Sequence, residues 1–143
     1  MAGEDRQDSR RGRMSNTRVV DGPGFRIRLD DEPGYLRACI CDGVDSYEVS
    51  LAAWRILAAE CQAARPARML VLEDLESTIN AEEIERLEVE IHRMLPAMRV
   101  AFVELRDDVQ GAELGEIIAR GRGINTRAFS SETEARRWLL FGD

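Results

Sequence analysis

A few residue groups have the chemical types that catalysis or metal binding needs, and their spacing decides what each can do. Cys39 and Cys41 stand two apart in a segment of period two, so both thiols point to one face. Two thiols leave a zinc site two ligands short, and the other soft donors, Cys61 and His92, fall on helical segments elsewhere. Small strand residues are the plainer reading of the pair, with a C-x-C redox couple as the alternative. His92, the single histidine, lies at the edge of an apolar helical stripe with no Ser or Cys nucleophile near it. A lone histidine is not half a triad. The carboxylates of Glu82 to Glu90 (EEIERLEVE) are spaced as a solvated helix face, not as a converging acid–base pair. The glycines Gly121 and Gly123 precede a strand, whereas a phosphate-cradling loop runs from a strand into a helix N-terminus. They read as a helix stop. No catalytic constellation, cofactor or metal is expected.

The elements that position these residues follow from periodicity. Phe25, Ile27 and Leu29 alternate with Arg26 and Arg28, and Leu36, Ala38 and Ile40 alternate with Arg37, Cys39 and Cys41. Asp-Asp-Glu-Pro-Gly between them supplies a turn, which predicts a β-hairpin buried on one side. Arg26, Arg28 and Arg37 share its other face, either as an anion-binding ladder or as a solvated row that discourages edge pairing. Helical spacing follows over residues 45–64, with Ser50, Ala53, Trp54, Leu57, Cys61 and Ala64 on one arc and Pro66 as the stop. The apolar run Met69 to Leu72 predicts a strand covered on both faces. Residues 73–79 read as a polar loop. A second helix opens on Asn80 as N-cap, with Glu83 three residues on, and turns Ile84, Leu87, Ile91, Met94 and Leu95 inward. A strand over 100–105, a short helix over 111–122, a strand over 124–129 and a helix capped by Ser131 and Glu134 complete the chain.

The predicted order is β-β-α-β-α-β-α-β-α, an α/β fold with a largely parallel sheet and an N-terminal antiparallel hairpin. Residues 1–18 are polar and almost free of large apolar groups, which predicts a disordered tail ahead of one domain over 19–143. Met14 offers an alternative start. A length of 143 residues suits one domain, and no apolar run approaches a membrane span. Three cysteines without a secretory signal point to a reducing compartment, and the cytoplasm is the expected location. All basic residues are arginines, as a GC-rich genome produces, and the net charge is −7. Non-specific nucleic-acid binding is thereby disfavoured, and no membrane role is expected.

Four segments, GYLRACICDGVDSYE, RMLVLEDLEST, RVAFVEL and NTRAFSSETEARRWL, resemble the SpoIIAA-like group of STAS domains, relatives of bacterial anti-sigma-factor antagonists. The resemblance spans about residues 20–141, is one of pattern and spacing, and is most specific at the ending, a strand closing in Phe129 and a capped helix closing in Trp138 and Leu139. It implies a non-enzymatic regulatory module that binds another protein, such as a kinase or an anti-sigma-like regulator. Docking would use the loop after the third strand and the second helix: Asp74, Glu76, Ser77, Thr78, Asn80 and Glu83. In the antagonists an Asp-Ser-Ser-Gly motif there carries a phosphorylated serine, and a phosphate suits a helix N-terminus. Here the position reads Glu76-Ser77-Thr78-Ile79-Asn80-Ala81, so the motif is missing and only Ser77 and Thr78 remain as phosphosites. Two readings compete with phosphorylation: the hydroxyls and Asn80 merely turn and cap the chain, or the surrounding acids hold the charge state a phosphate would create. A homodimer is compatible with the fold. The alternative function is a small-molecule or anion-binding sensor, using the arginine face or the crevice at the strands' carboxyl ends.

Overall fold

The structure, a computed structural model, describes residues 17–77, 79–106 and 125–142. Its strands are β1 (Arg18–Gly22), β2 (Phe25–Glu32), β3 (Tyr35–Cys41), β4 (Val44–Asp45), β5 (Arg68–Glu73), β6 (Glu76–Ser77), β7 (Arg99–Glu104) and β8 (Asn125–Phe129). The helices are α1 (Tyr47–Ala64), α2 (Ala81–Met94) and α3 (Glu132–Phe141). Six strands form one mixed sheet in the order β1-β2-β3-β5-β7-β8, and β4 pairs with β6 in a two-stranded sheet of its own. The pairs β1–β2 and β2–β3 are antiparallel, while β3–β5, β5–β7 and β7–β8 are parallel. The predicted hairpin is therefore two strands of a three-stranded meander. Arg18, assigned to the tail, opens β1 instead, and the predicted helix over 111–122 lies outside the described residues.

Alternation explains the layers. Ile27, Leu29, Ala38, Ile40, Met69, Val71, Val100 and Phe102 face α1 and α2, which contribute Trp54, Leu57, Ile84, Leu87 and Ile91. From the opposite face Leu70, Leu72, Ala101 and Val103 meet Ala135, Trp138 and Leu139 of α3. Consecutive residues of β5 thus enter different cores, as a run buried on both faces requires. Pro33 and Gly34 turn β2 into β3, and Gly34 takes φ 88°, a conformation open to glycine. Gly43 allows a different approach: a Cβ there would stand 2.0 Å from the Gly24 carbonyl oxygen. The β1–β2 turn can therefore rest directly on the link between β3 and β4.

The helix ends behave as their residues dictate. Ser46 caps α1 by accepting from the Val49 N–H, and Arg65 closes it in the left-handed region just before Pro66. The helix begins at Tyr47, two residues later than the spacing alone places it. Asn80 and Glu83 exchange both bonds of a capping box at α2, at 2.9 and 3.1 Å. At α3 the Ser131 hydroxyl accepts from the Glu134 N–H.

Candidate functional site

The loop between β5 and α2 is not the polar excursion its composition predicts. Glu73 is the last residue of β5 and only 2% exposed, while Leu75 and Ile79 are buried at 1% and 0%. Two apolar residues four apart anchor the loop in the core beneath α1 and α2. Its backbone is stitched to both neighbouring strands: the Asp74 N–H donates to the Ile40 carbonyl at 2.8 Å, and the Leu105 N–H donates to the Glu73 carbonyl at 2.9 Å. Further along, Glu76 and Ser77 pair with Val44 and Asp45. Then the capping box takes over.

Each residue expected at this site has a definite place. Asp74 is half-buried and accepts from the Arg106 Nε at 3.1 Å. Glu76 is exposed. Ser77 closes β6, opposite Asp45 in the register. Thr78 lies outside the described residues. Asn80 and Glu83 are engaged with each other, so the loop leads into α2 through a structural cap. Beyond it Glu82, Glu85 and Val89 are exposed on α2, and Arg86 stacks over the Tyr47 ring at 4.9 Å, tying α2 to α1. The structure thus brings Asp74, Glu76, Ser77, Asn80 and Glu83 into one short, braced segment at the carboxyl edge of the sheet.

Three carboxylates, Asp45 and Glu73 buried and Glu104 half-buried, stand behind that segment, and sequence reasoning gave none of them a place in the site. Asp45 is fully buried and accepts a hydrogen bond from the Ser50 hydroxyl in the first turn of α1. Glu73 and Glu104 close β5 and β7 as register partners, and the Arg106 N–H donates to the Glu104 Oε1 at 2.9 Å. Their location at strand carboxyl ends was the available signal. No group of three or more metal-ligating side chains forms among the described residues.

The arginine face is an ion-pair network across most of its extent. Arg37 donates to both carboxylate oxygens of Glu132, at 2.7 and 3.1 Å, and to Asp30 at 3.2 Å. These bonds push the Arg37 pKa up and pull that of Glu132 down, each chiefly through their shared hydrogen bond. Arg26 reaches Asp21 at 2.8 Å and Asp42 at 3.3 Å. Arg28 remains exposed between Val19 and Cys39 in the register. A ladder of three arginines awaiting an anion is not what the geometry shows.

The thiols are held as weak acids. Burial, then the neighbouring Cys41, raises the Cys39 pKa to about 11, and burial raises that of Cys61 to about 11 as well. Burial likewise pushes Cys41 up. His92 is half-buried on α2, with Nε2 3.3 Å from the Glu88 carboxylate one turn earlier.

Comparison of the chain with family models, with curated proteins and with solved structures yields no match. The class of protein is therefore defined by the molecule itself: an α/β protein with a mixed six-stranded sheet and a braced acidic loop at its carboxyl edge. No helix among the described residues is long and apolar enough to cross a membrane.

Proposed function

We propose that this chain is a non-enzymatic, STAS-like regulatory module that binds another protein through the β5–α2 loop and the exposed face of α2. The observation that carries this reading is the bracing of the loop. Two buried apolar anchors, the β4–β6 pairing and the capping box hold its backbone, while Glu76, Glu82 and Glu85 remain at the surface. A docking surface organised in advance loses little entropy on binding. Its charge favours a partner with a basic patch and speeds encounter with it. In this reading the acids supply the negative charge that a phosphate supplies in the anti-sigma-factor antagonists, and the module needs no phosphorylation of Ser77 or Thr78.

Affinity capture from the source cell tests the proposal. The paired reversal of Glu76→Arg and Glu82→Arg is expected to lower recovery of the partner at least tenfold. Gln62→Arg, an equally exposed change near the far end of α1, should leave recovery unchanged. Equal recovery with all three proteins would remove the loop from the interface.

A further inference from the structure

A second feature, which shares no lining residue with the loop, lies between the end of β8 and the first turns of α3. Arg127, Ala128, Phe129, Ser130, Glu134 and Arg137 line a concavity of about 410 Å³. That volume falls in the range of about 300–1,000 Å³ typical of small-molecule sites. Its arginines differ from many others in the chain. Arg18, Arg26, Arg37, Arg93 and Arg106 are matched by carboxylates, and Arg68 and Arg99 by backbone carbonyls. Arg127 and Arg137 have no carboxylate partner among the described residues. The Arg127 guanidinium lies over the Phe129 ring at 5.4 Å, and that ring is braced at 5.5 Å by the buried Trp138. A stacked guanidinium keeps its N–H groups available, in an orientation fixed before any ligand arrives.

We infer that this concavity binds the phosphate group of a small phosphate monoester. Two guanidinium groups against the single carboxylate of Glu134 leave the lining with a net charge of about +1, which favours an anion, and two forked guanidinium groups match the several oxygens of a phosphate better than the two of a carboxylate. Ser130 adds a hydroxyl at the end of β8, next to the Ser131 cap of α3. Glu134, the one carboxylate among the described lining residues, is a hydrogen-bond acceptor, which suits an ester whose organic part carries hydroxyl groups. The site is separate from the β5–α2 loop, and either reading stands or falls alone.

Calorimetry and thermal shift on the full chain, with glycerol 3-phosphate and glucose 6-phosphate as probes, test the assignment. Inorganic phosphate, sulfate and glucose serve as controls. At least one ester should bind saturably at one to one, more tightly than inorganic phosphate. Arg127→Gln and Arg137→Gln should each weaken it tenfold or more, and Arg28→Gln should change nothing. Both side chains are exposed, so an unchanged circular dichroism spectrum is expected to accompany the loss. Absence of saturable ester binding, an affinity no better than that of sulfate, or equal loss in Arg28→Gln would overturn the inference.

Discussion

Arg37 shows how one residue's role depends on what lies far along the chain. In sequence it is a third arginine on a hairpin face; in the fold its guanidinium joins β3 to the first turn of α3, ninety-five residues away. Periodicity places Arg37 on the correct face, but Glu132 belongs to an element whose position only the tertiary fold determines. The clamp has a pH signature. Glu132 is depressed below its ordinary value of 4.5, so its contribution to stability is present above that value and is lost as pH falls through the lowered one. Glu132→Gln should cost about 1–2 kcal/mol at pH 7, the scale of a charge-assisted, part-buried bond. Urea midpoints for the two proteins should converge as pH is lowered from 5 towards 3; a constant gap would show that charge plays no part. By contrast, the Asn80–Glu83 cap was fully legible, because both partners lie within one turn and their types announce the bond.

At the scale of elements, local signals located most of the described helices and strands, and the exceptions have physical causes. β1 has only five residues, Arg18 to Gly22, and Val20 is the one that packs against a core. So short an edge strand carries almost no alternation and is specified by its pairing with β2. The β5–α2 loop misled for another reason: its five polar residues outnumber its two anchors. Leu75 and Ile79, rather than the acids, settle its path. Ile79→Ala is therefore expected to lower stability by about 2–4 kcal/mol, as large-to-small changes in a core do. Amide exchange at residues 76–80 should accelerate more than in α1; uniform acceleration would mean that the anchor supports the whole fold and not the loop in particular.

For the molecule as a whole, the sheet divides labour between its ends and faces. Helices α1 and α2 cover one face and α3 part of the other, so β5 and β7 are enclosed while β1 and β2 carry exposed residues on their outer side. The carboxyl edge gathers the braced acidic loop and the buried carboxylates, and the acidic net charge of −7 agrees with a partner of opposite sign. The general location of the loop was readable in the sequence, since an α/β chain places the links from strand to helix at the carboxyl ends of its strands. Its bracing was not, because β4 and β6 are two residues each and neither has a periodicity to detect. The most direct test of docking through the loop is site-specific photo-crosslinking in the source cell, with the reactive side chain placed in turn at positions 76, 19 and 62. One discrete protein adduct is expected from position 76, and none from Val19 on the open sheet face or from Gln62 on α1. An adduct from position 19 or 62, with none from position 76, would contradict docking through the loop.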